Sequence, residues 1–480
     1  MTKKIAICWF RQDLRLYDNK ALFEASKNEN ILPIYILDDE NSKKYKIGSA
    51  SRLWLHYSLK SLKKSLGGKL SVYSGNPEEI LVNILNRHEV EAIYWNRCYE
   101  PWRIKRDSKI KTHLKNLEIQ VNTYNSSLLW EPWNIKKDDG TPYKVFTPFY
   151  RKGCLNAQEP SIPLSKPDRA NYLFDKDQIG VDELNLLPRV PWGKKLKTHW
   201  DIGEEGAHRR FDQFIEEGLS LYKEGRNIPA KPYVSRLSPH LHFGEISSNQ
   251  LWHSVRSIGD NKNIEHFCSE LGWREFSYSQ LFNNPRLPEK NLQSKFDFFP
   301  WNENETFLKA WQKGNTGIPM VDAGMRELWQ TGYMHNRVRM IVGSFLVKNL
   351  RLHWHHGERW FWDTLVDADL ANNSASWQWI AGCGADAAPY FRIFNPIMQG
   401  QKFDPNGDYV RQYIPEIAAL PNKYLFNPWE ASEDILSEAS IELGSTYPKP
   451  IVDLKQSREL ALSAFQSLKQ LDNKNLNKKK

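Results

Sequence analysis

The chain has 480 residues, 40 per cent of them hydrophobic, and this length exceeds the size at which one hydrophobic core usually stops growing, so two domains are expected. Its five cysteines are far apart and lack the paired spacing of zinc or iron–sulfur ligands, which excludes such centres and indicates free thiols in a reducing compartment. The net charge of +9 favours a polyanionic partner, with a solvated basic surface as the ordinary alternative.

The N-terminus runs from Met-Thr-Lys-Lys directly into a strand-like segment, without the pattern of a signal or transit peptide. The longest apolar run, around residues 340–347, is too short to span a bilayer. We therefore expect a soluble cytoplasmic protein.

The first third alternates β-rich runs with amphipathic helical patterns. Strands are predicted at Ile5–Phe10, Ile31–Leu37, Leu70–Tyr73, Ala92–Trp95 and Ile119–Tyr124, and a helix at Arg52–Leu66. This alternation is typical of a parallel α/β sheet of the Rossmann-like kind. No G-x-G-x-x-G or Walker loop follows the first strand, so ordinary dinucleotide binding is not supported.

The remainder is predicted to be a connector and then an all-helical domain. Residues 131–200 are rich in Pro, Lys and Asp and have weak periodicity, which is typical of a connector on the surface. Helices are predicted at His208–Leu221, Ser247–Ser257, Ile264–Phe282, Asn304–Lys313, Pro319–Thr331, Arg337–Asn349 and Gly357–Asp363. The predicted division is therefore 1–130, 131–200 and 201–480.

Tryptophan is frequent, with 19 residues, and aromatic residues make up 13 per cent of the chain. Large side chains that fill a helical core are the ordinary explanation. The segment Asp367–Trp379, however, mixes two carboxylates and several amides with two indoles, which suits a buried aromatic cofactor better than an apolar core.

Two helical faces combine polar and apolar groups. At i, i+3 and i+4 spacing, one carries Glu270, Trp273 and Arg274, and the other carries Asn336, Arg339 and Met340. These faces are either solvated edges or the floor of a pocket, and an exposed Trp273 or Met340 would be unfavourable.

Ser235 and Ser238 precede a predicted helix that has Pro239 in its first turn. Hydroxyl and backbone N–H groups there suit a phosphate, and an ordinary N-cap is the favoured alternative. Arg339 and Asp367 are a candidate buried pair, either structural or tuning a cofactor.

Three histidines fall within His353–Gly357. Carboxylate or thiolate ligands at recognised spacing are absent nearby, so a metal site is disfavoured and a solvated cluster at the end of a helix is preferred.

Six motifs together resemble the photolyase/cryptochrome flavoproteins: Trp9–Asn19, Ser235–Leu241, Trp273–Phe276, Thr316–Arg326, Met334–Met340 and Asp386–Pro396. The resemblance covers nearly the whole chain and is greatest to bacterial cyclobutane pyrimidine dimer photolyases of the class I type. It implies an N-terminal α/β domain, a C-terminal helical FAD-binding domain and, as we expect, a monomer that acts on DNA.

The resemblance also implies a site for FAD. The cofactor-binding residues would be Tyr222, Val234, Ser235, Arg236, Leu237, Ser238, Arg339, Asp367, Ala368, Asp369 and Asn373, with Val234 in place of the usual Thr. Asn373 would face flavin N5, where an amide hydrogen-bonds a protonated nitrogen and favours the reduced states used in repair.

The same family pattern implies the lesion site. Glu270, Asn336, Met340 and Asn373 would be catalytic, and Arg226, Glu270, Trp273, Arg274, Asn336, Arg337 and Trp379 would contact DNA. Enzymes that repair (6-4) photoproducts carry histidines where Asn336 and Met340 stand, so cyclobutane dimers are the expected substrate. Extrusion of the lesion from the duplex is a property that photolyases themselves exemplify.

The implied mechanism is electron transfer from light-excited reduced FAD to the dimer, with Trp301, Trp354 and Trp377 as the chain that reduces oxidised flavin. An antenna chromophore is expected beside the α/β domain. We expect the antenna to be methenyltetrahydrofolate, but we assign no residues that contact it. Trp102 and Arg103 stand where the best-known bacterial branch has the Asn-Glu pair that contacts this folate. The alternatives are a cryptochrome photoreceptor and a (6-4) photolyase.

Overall fold

The computed structural model describes residues 4–168, 170–188, 192–387, 389–390 and 392–477. Residues 1–3 of the N-terminal segment, and Ala388 and Phe391 of the last motif, lie outside these ranges. The chain forms two compact units. The first comprises Met1–Lys223, Ser235–Pro285 and Val366–Ala371, and the second comprises Glu224–Val234, Arg286–Leu365 and Asn372–Lys480. The predicted division at residues 130 and 200 stays a prediction.

The first unit contains a parallel sheet. Its strands are β1 (Ile5–Phe10), β2 (Asn30–Leu37), β3 (Ser71–Ser74), β4 (Val90–Asn96), β5 (Gln120–Tyr124) and β6 (Asn171–Tyr172). The order is β3-β2-β1-β4-β5, and β6 pairs with β2. All five predicted strands are confirmed, because fully buried parallel strands such as β1 and β2 consist of nearly continuous apolar runs.

Eleven α-helices begin among the described residues of this unit up to Pro285. They are α1 (Lys20–Ala25), α2 (Ser49–Ser65), α3 (Pro77–Leu85), α4 (Pro101–Asn116), α5 (Phe146–Pro148), α6 (Trp192–Lys197), α7 (Glu204–Glu217), α8 (Tyr222–Gly225), α9 (Ser238–Phe243), α10 (Ser248–Ile258) and α11 (Lys262–Asn283). A π-helix (Phe149–Gly153) follows α5, and 3-10 turns lie at Lys43–Tyr45, Cys154–Asn156, Asp182–Leu184 and Leu219–Leu221.

The motif after β1 has a structural role. Arg15 is buried and donates hydrogen bonds to the carbonyl oxygens of Gly244 at 2.9 Å, Asp18 at 2.6 Å and Ser126 at 2.7 Å. A Cβ on Gly244 would meet the carbonyl oxygen of Gln12 at 2.1 Å, and its φ of +68° favours glycine. The motif therefore fixes the chain that leads out of α9.

The predicted surface connector is more deeply integrated than expected. It supplies β6 to the sheet, and Phe146, Phe149 and Tyr150 are buried. Its weak periodicity arises because short turns and a π-helix carry these aromatic side chains inward.

The second unit is helical. Its α-helices are α12 (Glu305–Lys313), α13 (Pro319–Thr331), α14 (Asn336–Ser344), α15 (Trp354–Thr364), α16 (Leu370–Ala381, which begins in the first unit), α17 (Pro396–Phe403), α18 (Asp408–Tyr413), α19 (Asn422–Leu425), α20 (Glu433–Glu438) and α21 (Leu454–Asn477). Further turns lie at Ser294–Phe298, Pro415–Ile417 and Pro428–Glu430. The predicted helix at Arg337–Asn349 is α14 followed by a π-helix at Phe345–Asn349. None of the described helices is long and apolar enough to cross a membrane.

The Thr316–Arg326 motif also holds the chain together. The buried carboxylate of Asp322 accepts hydrogen bonds from Thr316 Oγ1 at 2.7 Å, Gly317 N at 2.9 Å and Tyr447 Oη at 2.7 Å. It thereby attaches the late segment around Tyr447 to α13. The predicted class, a parallel-sheet N-terminal domain with a helical C-terminal domain, is confirmed.

Candidate functional site

The loop before α9, which is predicted to bind phosphate, has an unusual backbone conformation. Arg236 adopts a φ of +53°, a conformation that non-glycine residues rarely occupy. Leu237 occupies the N-cap position of α9 without a side-chain cap. Ser238 Oγ instead donates to Asp367 Oδ2 at 2.6 Å, and Ser235 Oγ accepts from Leu237 N at 3.4 Å. The N-cap alternative is therefore wrong, because neither serine hydroxyl caps the helix.

The carboxylates after α15 lie in polar, nearly buried surroundings within the first unit. Asp369 is 6 per cent exposed, accepts from Tyr278 Oη at 2.5 Å and lies 3.6 Å from His242 Nδ1. Burial, reinforced by the Asp369 carboxylate, raises the pKa of Tyr278, so its hydroxyl stays a donor. Asp367 and Ala368, the two residues before Asp369, are also nearly buried.

Two other residues predicted to contact the cofactor, Tyr222 and Val234, differ in burial. Tyr222 is buried, with its ring 5.5 Å from Phe214 and 5.4 Å from Phe267. Val234 is half-buried.

The face of α11 divides into two parts. Glu270 and Trp273 are half-exposed, and Glu270 Oε1 lies 3.9 Å from His266 Nε2 one turn earlier. Arg274 instead donates to the carbonyl oxygen of Ser127 at 2.7 Å and to Glu275 Oε1 at 3.1 Å. Glu270 and Trp273 therefore share an accessible face, while the guanidinium of Arg274 is held by its own unit.

Sequence reasoning missed Glu275, which is buried beside Arg274. Its carboxylate accepts the backbone N–H of Trp130 at 3.2 Å. Burial raises the pKa of Glu275 to about 7, against the opposing effect of Arg274. The signal available in the sequence was that Glu275 is a charged residue on the apolar side of the predicted helix, where an acidic side chain is unusual.

In the second unit, α14 presents a cationic cluster. The Arg337 guanidinium donates to Asn227 Oδ1 and, at 3.7 Å, to Met340 Sδ. Burial, then the charges of Arg226 and Arg392, lower the pKa of Arg337. Sequence reasoning identified Arg226 and Arg337 but missed Arg392, which is brought near only by the fold.

The other predicted residues of α14 differ in exposure and in their contacts. Asn336 is exposed and Met340 is half-buried. Arg339 donates through Nε to the carbonyl oxygen of Met334 at 2.7 Å, and its guanidinium lies 5.3 Å from the Tyr333 ring centroid. The predicted pairing of Arg339 with Asp367 stays a prediction.

Asn373 on α16 is nearly buried and has a defined orientation. Its Nδ2 donates to the carbonyl oxygen of Glu358 at 3.0 Å, while the neighbouring Ser374 hydroxyl donates to the Glu358 carboxylate. Within the described chain, Asn373 Oδ1 accepts no hydrogen bond. The amide therefore presents an acceptor, which suits a protonated ring nitrogen.

The three tryptophans of the predicted chain differ in burial. Trp377 and Trp354 are buried, and Trp301 is half-buried. Trp354 Nε1 donates to Asn291 Oδ1 at 2.9 Å, and Trp377 has edge contacts with Trp311 at 6.3 Å and Phe361 at 5.0 Å. Trp379, predicted to contact DNA, is half-buried.

The histidine cluster differs from the sequence-based interpretation. It begins α15 rather than ending a helix, with His353 at the N-cap. Burial, followed by the neighbouring His355 and His356, lowers the pKa of His353 to about 4, so the cluster is less solvated than expected. No group of ligands able to hold a metal occurs in the part of the chain that the structure describes.

A small polar cavity lies at the carboxyl ends of β1 and β2. Its walls include Tyr35, Asp38, Trp102, Arg103 and Arg106. The guanidinium carbons of Arg103 and Arg106 lie 4.7 Å and 5.1 Å from the centroid of the Trp102 ring. Arg106 also forms an ion pair with Asp38 at 2.9 Å. The volume of about 30 Å³ is enough for water.

Two protein-family models match the chain. One, described as DNA photolyase, matches residues 6–168, and the other, described as the FAD binding domain of DNA photolyase, matches residues 267–467.

Relatives match nearly the whole chain. A deoxyribodipyrimidine photo-lyase of Agrobacterium fabrum is 46% identical over 96% of this chain and 98% of its own. Cryptochrome-1 of Arabidopsis thaliana is 36% identical over 97% of this chain and 71% of its own. The crystal structure of a class III photolyase from Agrobacterium tumefaciens superposes with a TM-score of 0.94, at 45% identity over 98% of both chains. The predicted class I assignment is thus not confirmed.

Proposed function

The chain belongs to the photolyase/cryptochrome family, and from this membership we propose that it repairs cyclobutane pyrimidine dimers in DNA under blue light, as a photolyase of class III. Its enzymatic class, that of the deoxyribodipyrimidine photo-lyases, follows from its likeness to photo-lyases over nearly the whole chain, and its cofactor, FAD, follows from the match to the FAD-binding domain. The observation that carries the choice of substrate is the pair Asn336, which is exposed, and Met340, which is half-buried, on α14, where (6-4) enzymes carry histidines.

The donor groups of the first unit fit a dinucleotide. Backbone N–H groups of the loop 235–238 and the Ser235 hydroxyl suit phosphate oxygens, and the φ of Arg236 supports a turn shaped for a ligand. Ser238 is oriented by Asp367, and Tyr278 orients Asp369. We assign the phosphates to this loop, and the polar ring edges to the segment Asp367–Asp369.

The second unit contributes Arg339 and Asn373 to our assignment. Because Nδ2 of Asn373 donates to the carbonyl oxygen of Glu358, its Oδ1 is the atom that remains for the flavin. This oxygen can accept a hydrogen bond from a protonated nitrogen, and it disfavours a nitrogen without a proton. When bound and reduced, FAD supplies the excited electron for repair and takes it back. Asn373 is thus a positioning and tuning residue for N5.

We assign lesion recognition to polar and apolar contacts of different kinds. The Glu270 carboxylate accepts hydrogen bonds from a pyrimidine base, and Trp273 and Trp379 pack against the apolar faces of the dimer. Asn336 and Met340 provide an amide and a thioether, without the histidine proton donor of a (6-4) enzyme.

Phosphate contacts would come from Arg226, Arg337 and Arg392. Burial, and then the charges of Arg226 and Arg392, lower the pKa of Arg337, and a bound polyanion would relieve the repulsion among these cations. These contacts hold the strand without reading its sequence.

Trp301, Trp354 and Trp377 are our proposed path for reducing oxidised flavin. Repair with flavin that is already reduced does not need them. We therefore expect Trp301→Phe to slow photoreduction and to leave repair unchanged after chemical reduction of the flavin, measured by flavin absorbance and by dimer loss in the same samples.

The test of function combines a spectrum with a repair assay. We expect the purified protein to show flavin absorbance. When its flavin is reduced and it is exposed to blue light, we expect it to split thymine dimers in an oligonucleotide into thymines, and to split none in the dark. Restoration of (6-4) photoproducts alone would favour that enzyme. Reducible flavin with no repair of either lesion would favour a photoreceptor.

A further inference from the structure

The start of α15 places an imidazole between two tryptophans of the proposed electron-transfer chain. The His353 ring centroid lies 5.0 Å from that of Trp301 and 5.6 Å from that of Trp354. Trp301 otherwise contacts Phe299, and Trp354 otherwise contacts His355. Among the described residues, His353 is therefore the ring that contacts both indoles.

The orientation of His353 is fixed by the backbone. Its Nδ1 accepts the N–H of His355 at 3.2 Å as the N-cap of α15, which places the imidazole proton on Nε2. The side chain thus has two separable features, a cap acceptor and an aromatic ring.

The surroundings of both indoles favour transfer of an electron without a proton. Trp301 Nε1 is buried and has no hydrogen-bond partner among the described residues, and Trp354 Nε1 donates to the amide oxygen of Asn291, which is a poor base. An indole oxidised here keeps its N–H proton and therefore carries a positive charge.

We propose that His353 is a positioning residue that couples Trp301 to Trp354, so that one electron passes from Trp301 to oxidised Trp354 across its ring. This inference rests on the proposed tryptophan chain. No bond forms or breaks in the step, Trp301 is oxidised as Trp354 is reduced, and photoexcited oxidised FAD is the original oxidant.

A neutral ring suits this position. Burial, and then the nearby His355, His356 and Arg359, lower the pKa of His353 to about 4, although Asp297 opposes them. At neutral pH the imidazole therefore adds no positive charge beside an oxidised indole, where a cation would be repelled.

Two substitutions separate the cap from the ring. His353→Asn keeps an N-cap acceptor and removes the ring, and His353→Phe keeps a ring and removes the acceptor. The holoprotein variants would be compared with wild type by the rate of flavin photoreduction, by the lifetime of the tryptophan radical cation in transient absorption, and by Tm.

We expect His353→Asn to slow photoreduction several-fold and to shorten the radical lifetime, with Tm close to wild type. We expect His353→Phe to retain the rate of photoreduction and to lower Tm by a few degrees. Neither variant should affect repair with chemically reduced flavin.

Trp301→Phe distinguishes a failure of the proposed tryptophan chain from a failure of the coupling through His353. Slower photoreduction in Trp301→Phe together with an unchanged rate in His353→Asn would overturn the role of His353 alone. An equal loss of rate in both His353 variants would also overturn it, because the ring would then be irrelevant. An unchanged rate in Trp301→Phe would overturn the proposed chain and, with it, the coupling.

Discussion

Phe146 lies flat against Trp273, with ring centroids 3.8 Å apart and ring planes inclined by 11°. Tyr150 stacks behind Phe146 at 5.6 Å and 9°. This ladder covers one face of the Trp273 indole and leaves its half-exposed remainder for a ligand. The segment predicted as a surface connector thus supports a side chain that we assign to lesion binding.

Replacing Phe146 should weaken lesion binding although we assign Phe146 no contact with DNA. In Phe146→Ala the Trp273 indole gains rotamer freedom. Binding must then order this side chain at a free-energy cost of about 0.5–1.5 kcal/mol, which lowers the affinity roughly two- to tenfold. Titration with a thymine-dimer oligonucleotide and its undamaged counterpart measures this. Phe282→Ala, which removes a ring packed on Trp133 at 5.5 Å, is the matched control. Equal losses in the two variants would contradict the role of Phe146.

Glu270→Gln should weaken binding of the dimer selectively. The substitution keeps an acceptor oxygen but removes the charge, and hydrogen bonds to charged groups contribute about 1.5–3 kcal/mol, so a loss of about tenfold or more is expected. Glu265→Gln is the control, because Glu265 lies on the same helix in an exposed pair with Arg151 at 3.2 Å. A loss shared by undamaged DNA would show that Glu270 does not read the lesion.

The elements of this fold differ in how well local sequence predicts them. β1 and β2 are buried along their whole length, so continuous apolar runs identify them. β6 has two residues and depends on pairing with β2, which no local pattern shows. The π-helix Phe345–Asn349 keeps enough helical periodicity to be read as a continuation of α14.

Within the candidate site, spacing predicted the shared face of Glu270 and Trp273 but not the direction of Arg274. That direction depends on the carbonyl oxygen of Ser127, which is remote in sequence. The same holds for Ser238, whose hydroxyl finds Asp367 rather than a backbone N–H of its own helix. Non-local polar partners decide these side chains.

Arg392→Ala should weaken binding of damaged and undamaged DNA alike. Each phosphate contact that is lost should lower the slope of log affinity against log salt concentration by about 1. Lys309→Ala is a suitable control, since Lys309 pairs with Glu305 at 2.8 Å on an exposed helix. Binding isotherms at several salt concentrations give both quantities, and an unchanged salt slope would remove Arg392 from the proposed contacts.

Glu275 should make stability depend on pH. Burial raises its pKa from 4.5 in the unfolded chain to about 7 in the folded protein, although Arg274 opposes this shift. Between pH 4.5 and 7 the folded protein therefore keeps a proton that the unfolded chain releases. The free energy of unfolding consequently falls as pH rises through this window, by on the order of 3 kcal/mol at most.

Glu275→Gln should remove this dependence. Its single amide oxygen cannot accept from both Trp130 N and Arg274, so the variant should be less stable than wild type near pH 5, where the carboxyl is protonated in the fold. The deficit should shrink by pH 8, because wild type then carries the buried charge and the amide does not. Tm measured at intervals from pH 4.5 to 8 tests this, with Glu265→Gln as the exposed control. A difference in Tm that stays constant with pH would mean that Glu275 titrates normally in the folded protein.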